Sequence, residues 1–312
     1  MINNNEIIPE HGDVNDEERK LEKKRLRREA RREKYKRDLR IMFSRRIVVI
    51  GAVGLLIFIL LAIFAGALTP YDPNTSNYKA IFAPPSSEHL LGCDEFGRDL
   101  LTRLLYGARV SLIVGVLAVA IACVIGVTIG LCAAYFGGWI DLVIMRCMEA
   151  FSAIPRIMVS MALITIFGNT ITDLAIVLGI STIPTYVRMT RATALSTKNS
   201  DYVQAAKMQG AKSAYIMFHH VLPNCISPII IMLTRNVGST ILMEAGLSFL
   251  GVGITIPTAS WGTMVSTGRN YLLSSPLLAL APSICVTLLV ICLNSLGDGI
   301  RDALDPRLHG AD

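Results

Sequence analysis

The sequence predicts an all-α membrane protein with six transmembrane helices and one long polar loop that carries two short helices. Three observations predict this class. Of 312 residues, 52% are hydrophobic and 17% charged, with a mean hydropathy of +0.51, whereas a soluble domain carries about 25% charged residues. Six separate apolar runs approach the roughly 20 residues a spanning helix needs. Lys and Arg gather on one side of those runs, as the positive-inside tendency of membrane proteins requires. This composition excludes a disordered chain and argues against a soluble globule.

The basic charge sits in a head. Residues 1–46 hold 15 Lys and Arg against 10 Asp and Glu, and the other 266 hold 15 against 14. That remainder offers no basic groove, so no nucleic-acid binding is expected. Residues 16–40 favour helix, and Asn15 with Glu18 has capping-box spacing; the head reads as a cytoplasmic segment attracted to anionic lipid. Residues 47–68 form the first span. Ala65, Gly66 and Ala67 have the small-x-small form of a signal cleavage site, but the run exceeds the 7–15 residues of an h-region, so an uncleaved anchor is expected. Pro70, Pro73, Pro84 and Pro85 mark an irregular external stretch. Residues 94–107 read as an amphipathic helix along the membrane surface, with Leu100, Leu101, Leu104 and Leu105 on one face and Arg98, Asp99 and Arg103 away from it.

Span two covers 110–136. Its Ala122, Gly126, Gly130 and Ala134 form a small-xxx-small stripe that lets another helix approach closely. Gly137 and Gly138 turn the chain into span three, 142–167, which carries Pro155, Arg156 and an interfacial pair, Arg146 and Glu149. Gly168, Asn169 and Thr170 turn it into span four, 171–188. Residues 189–223 are a polar loop, 224–244 span five, 245–275 a second irregular stretch, and 276–297 span six. The domain division is therefore a charged cytoplasmic head (1–45), a first helix with its external segment (46–106), a core of five helices (107–299) and a cytoplasmic tail (300–312). With the head inside, 23 Lys and Arg fall on the inner side and 4 on the outer, which puts both termini in the cytoplasm.

Several chemistries lack their residues. The seven cysteines are scattered with no C-x-x-C spacing, so they read as small membrane-core residues with no metal site or disulfide frame. Gly210, Lys212 and Ser213 fall short of a phosphate loop, and the chain has no Gly-Lys dipeptide, so ATP is not expected to bind here. His219 and His220 read as polar ends of a loop helix. No His–Glu metal motif or Ser–His pair lies within a span, which argues against an intramembrane enzyme. An ion-coupled secondary transporter would show midspan carboxylates and inverted repeats, whereas Asp173 and Glu244 lie near span ends. Arg235 stands apart. It lies about 16 Å up span five, near mid-membrane, where it must line a wet pathway or pair with a carboxylate.

The 189–223 loop is the most informative segment. Asp201 is expected to N-cap a first short helix and Gly210 to end it. A second would run over 213–220 after a sharp break, and Pro223 fits the first turn of span five. Gln204, Ala205 and Ala206, then Gly210, then Leu222 and Pro223, resemble the EAA loop of ABC-importer permeases. Residues 89–112, 244–251 and 297–307 are similar to segments of the oligopeptide/dipeptide/nickel branch of that family, and to its C-type subunit. The resemblance covers 46–308. Two positions depart from it: Gln204 stands where the family usually has Glu, and His220 where an apolar residue is usual.

The resemblance implies a type I ABC-importer permease fold in a bacterial inner membrane, and a transport subunit rather than an enzyme. It implies a heterodimer with a second permease, two ATPase subunits that hold ATP and Mg, an external solute-binding protein and a peptide cargo. Asp201, Gln204, Ala205, Ala206, Gly210, Leu222 and Pro223 would couple ATPase motion to the spans, and Arg235 would line the pathway. Nickel chelates or glutathione are alternative cargoes within the same family.

Overall fold

The computed structural model describes residues 45–304, together with Leu21, Arg25, Leu26, Met42 and Phe43. The expected head helix over 16–40, its Asn15–Glu18 box and the tail beyond Leu304 lie outside the described residues. Among the described residues there is no strand.

Helix α1 is Arg46–Ile63, α2 Leu100–Phe136, α3 Gly138–Ala153, α4 Arg156–Phe167 and α5 Ile171–Lys198. Then follow α6 Asp201–Met208, α7 Leu222–Phe249, α8 Trp261–Gly268 and α9 Leu277–Leu304. Among the described residues, five helices are long and apolar enough to cross a membrane. The pair α3 and α4 makes a sixth crossing if counted together, bent by 92° at its break.

Three expectations need correction. The surface helix over 94–107 does not exist as a unit. Residues up to Asp99 are irregular, and Leu100 opens the 37-residue α2. Asp99 is the reason: its carboxylate accepts from the Thr102 N–H at 2.7 Å and caps α2. Span three is not one straight helix, because Pro155 follows an extended Ile154 and a new helix starts at Arg156. The polar loop is much shorter than 189–223. Helix α5 runs on to Lys198, and a helical turn Ser213–Ile216 passes through a π turn, Met217–Val221, straight into α7. The second short helix is thus the first turns of span five, which also runs past 244 to Phe249.

Helices α2 and α5 pack along each other through the small-residue stripe. Ala122 and Ala134 are fully buried. A Cβ on Gly126 would stand 2.5 Å from the Tyr186 Cβ, and one on Gly130 would stand 2.7 Å from the Val187 carbonyl. Only a missing side chain allows two backbones that close. Helix α1 packs on α9 and α2.

One end of the bundle is sealed by the irregular segments. The Trp261 indole N–H donates to the Leu104 carbonyl at 2.8 Å, and its ring packs with Leu100, Ala108, Ile241 and Leu289. Arg98 and Arg103 share Asp94, at 2.7 and 3.3 Å. Arg103 also donates to the carbonyls of Pro73 and Pro257, at 2.6 and 3.1 Å. Asp99 pairs with His89 at 2.9 Å. All of these Asp and Arg side chains are buried, so the residues expected to face water instead form a satisfied ionic plug. Cys93 is buried in the same segment.

Candidate functional site

At the opposite end, α6 and the turn after it project from the ends of α2 and α5 and the start of α7. Ser200 takes the N-cap position, and Asp201 is the first helical residue. Asp201 is therefore not the cap; its charge sits in the first turn, where the helix dipole favours an anion. The Gln204 amide donates to the Lys198 carbonyl at 3.3 Å, tying α6 back to the end of α5. Ala205 is exposed and Ala206 half-buried. Gly210 has φ +79°, beyond a cap at Gln209, and the Ala211 N–H closes on the Ala206 carbonyl at 3.2 Å. That left-handed step is what a glycine tolerates best, and it reverses the chain within a few residues.

The projection is anchored. Val203 is buried with Ile216, Met217, Val221 and Cys225 against Leu131, Ala134 and Ala194 of α2 and α5. Asn224 of α7 donates to the Tyr202 hydroxyl at 2.9 Å. Leu222 is half-buried and Pro223 exposed, both in the first turn of α7. Lys198 caps the end of α2 by donating to the Ala134 carbonyl at 3.0 Å. A cavity of about 280 Å³ lies behind α6, lined by Tyr135, Lys198, Gln204, Lys207 and Ser213. Its outer surface is polar with large apolar side chains left uncovered: Tyr202, Met208 (88% exposed), Tyr215 and Phe218. Exposed apolar groups on a rigid tip fit a surface that seats in a partner. His219 stacks on Tyr215 at 4.3 Å. Among the described residues no three metal-ligating side chains converge.

Arg235 is exposed on α7, its stem against Gly297 of α9. No carboxylate of the described residues pairs with it. Arg146 and Glu149 do pair, at 2.8 Å and in the open. The burial of Glu244 and the meeting of Arg156 with Arg188 were not read from the sequence. Glu244 is fully buried five residues before α7 ends, with Ser248 donating to it at 2.9 Å. Arg156 and Arg188 flank the α3–α4 break, donating to Thr182 at 2.6 Å and Ser152 at 2.9 Å. The signal for the second was Pro155 beside an Arg within an apolar run. Helix α3 buries none of its residues within the chain.

Residues 126–310 match the family model for the binding-protein-dependent transport system inner membrane component. Residues 36–85 match the N-terminal TM domain of oligopeptide transport permease C. The chain is 40% identical to the dipeptide transport system permease protein DppC of Alkalihalophilus pseudofirmus, covering 84% of this chain and 86% of the relative. It is 37% identical to DppC of Haemophilus influenzae, over 83% and 90%. It is also 37% identical to the glutathione transport system permease protein GsiD of Pectobacterium atrosepticum, over 89% and 91%. A solved inward-facing structure of the MetNI methionine ABC transporter resembles it in fold. The TM-score is 0.55 at 16% identity, over 65% of this chain and 97% of that one.

Proposed function

The chain belongs to the family of binding-protein-dependent transport system inner membrane components, and from that premise we propose that it is one permease subunit of an ATP-driven peptide importer. The family makes it a multi-pass permease subunit of a bacterial ABC importer, a transport subunit rather than an enzyme. Peptide is the cargo that relatives at 37–40% identity carry in their names. A second permease completes the pathway as a heterodimer, as the family assignment implies, and α3 leaves Trp139, Leu142 and Val143 uncovered within the chain. Two ATPase subunits, holding ATP and Mg, and an external solute-binding protein complete the complex. Both termini lie in the cytoplasm.

The observation that carries coupling is the anchored projection of α6 and Gly210. Its apolar tip seats in an ATPase cleft, and its hydrogen bonds to α5 and α7 pass movement on to two spans at once. Ala205 and Ala206 are small enough for close seating, and Gln204 works without charge by holding Lys198. Arg235, unpaired by any described carboxylate, faces the pathway.

Affinity purification of the tagged chain from its own cells, followed by uptake of labelled di- and oligopeptides into proteoliposomes, tests this reading. ATPases and a second permease should co-purify, and uptake should need ATP and the binding protein. Glutathione is the second cargo to assay, because of the GsiD relative. A chain that purifies alone and transports without ATP overturns the proposal.

A further inference from the structure

Where α3 breaks into α4, two arginines face one cavity of about 200 Å³, lined also by Ser152, Ser181 and Thr185. Arg156 donates to Thr182 at 2.6 Å and reaches Ser181 at 3.4 Å, while Arg188 donates to Ser152 at 2.9 Å. Every one of these partners is a neutral hydroxyl. Neither guanidinium is ion-paired to a carboxylate of the described residues. A guanidinium has five N–H donors, so most of the donors at this site are not used by these bonds.

Depth makes the arrangement informative. Ser181 lies about 15 Å from the start of α5, near the middle of a hydrocarbon layer about 30 Å thick, and Arg156 bonds to it and to Thr182. Arg188 lies about 10 Å further along α5, toward the inner edge of that layer. Cations at that depth are costly and face water, a partner or a passing ligand. A broken helix is tolerated there only where it is buried in protein or lines a cavity, and transporters place anion-binding groups at such breaks. The cavity is small, of a size to take the terminal residue of a peptide. The fork of a guanidinium matches a carboxylate in two parallel hydrogen bonds.

We propose that Arg156 and Arg188 form a carboxylate-binding station on the translocation path, taking the free C-terminal carboxylate of a peptide as it passes the α3–α4 break. The inference rests on the peptide-importer reading. Its test uses the assembled transporter with native cysteines replaced and Thr185→Cys at the cavity wall. Reaction rates are measured with an anionic sulfonatoethyl and a cationic trimethylammonium methanethiosulfonate, each taken relative to that reagent's rate with a free thiol in water, because the cationic reagent is intrinsically the faster. The anionic reagent should react faster by on the order of tenfold, as in a cleft lined by one sign of charge. The preference should vanish in the Arg156→Gln, Arg188→Gln double variant and persist in the corresponding Lys variants. Free-acid peptides should slow labelling, and their C-terminal amides should not. Equal reagent rates, a preference indifferent to the double variant, or equal protection by acid and amide overturns the station. Peptide uptake by the parent transporter is measured alongside. No uptake overturns the cargo reading, whereas uptake without the charge preference overturns the station alone.

Discussion

Arg191 grips Asp141 with its Nε and Nη2, each 2.5 Å from a carboxylate oxygen, and so ties α5 to α3 across 50 positions of sequence. Helix α3 buries no residue within the chain, so this fork is one of the few tethers that fix it. Both side chains are less than a third exposed, which leaves the pair only partly screened. Asp141→Asn weakens a charge-assisted bidentate contact, at a cost of about 1–3 kcal/mol. Thermal scans of the purified transporter should show an earlier loss of assembly, and Asp141→Glu should recover part of it. An unchanged melting profile for Asp141→Asn would mean α3 is held by other contacts.

Asp94 is the shared carboxylate of a buried cluster, with Arg98 and Arg103 both about 3% exposed. Asp94→Asn leaves two buried cations with one carboxylate fewer. Removing one side of a buried pair costs about 3–5 kcal/mol. Folded yield by size-exclusion chromatography should drop sharply, whereas Glu95→Gln, which sits 3.9 Å from Arg98, should be mild. Equal yields for the two variants would contradict the assignment of Asp94 as the keystone.

The α2–α5 seam has no room for a side chain. Gly126→Leu places its Cβ 2.5 Å from that of Tyr186, and Gly130→Val meets the Val187 carbonyl at 2.7 Å. Overpacking of this kind costs about 1–3 kcal/mol or more. Lower thermal stability is expected for each, with Gly246→Ala, whose Cβ meets nothing within 4 Å, as the neutral control.

Gly210 has open space around it but a φ of +79°. Gly210→Ala should cost about 1–2 kcal/mol locally, and the branched Gly210→Val more. The helix register of α6 against α7 then changes without disturbing the core. ATP hydrolysis should continue while transport falls, and Ala206→Arg should do the same by blocking close seating. Full transport in both variants would remove the coupling role.

The Cys93 thiol is buried 4% exposed, and burial first, then the charges of Asp99 and Asp94, push its pKa up to about 11. The thiolate is the reactive form, so it is scarce at every pH below that value. Native Cys93 should resist impermeant maleimides at pH 7–8 and label only on unfolding. Orientation is better reported by exposed sites, Ser87→Cys and Met208→Cys. Ser87→Cys should label on intact cells and Met208→Cys only after permeabilisation. The reverse pattern would invert the topology.

Span count and order were legible in the sequence because a membrane reduces folding to long apolar runs, and hydropathy reads these directly. The small-residue stripe was legible for the same reason: Ala and Gly at four-residue spacing lie along one helix face. Gly210 was legible because few other residues take that backbone step easily.

Other features needed the assembled structure. Whether Arg98, Asp99 and Arg103 faced water or each other depended on the non-helical turn that brings Asp94 and His89 onto them and on Pro73 and Pro257 arriving from distant segments, and amphipathic periodicity in 94–107 is identical in either case. The sequence placed a cap at Asp201, yet Ser200 took it, since cap identity depends on a single φ/ψ step. Pro155 was noted inside span three, which was still read as one helix over 142–167, whereas the structure breaks it by 92°, because neighbouring packing decides how far a freed turn bends. The Arg156–Arg188 cavity joins residues 32 positions apart. Local pattern carries the backbone's choice of helix, while charge placement is decided by which segments meet, and that is a property of the fold alone.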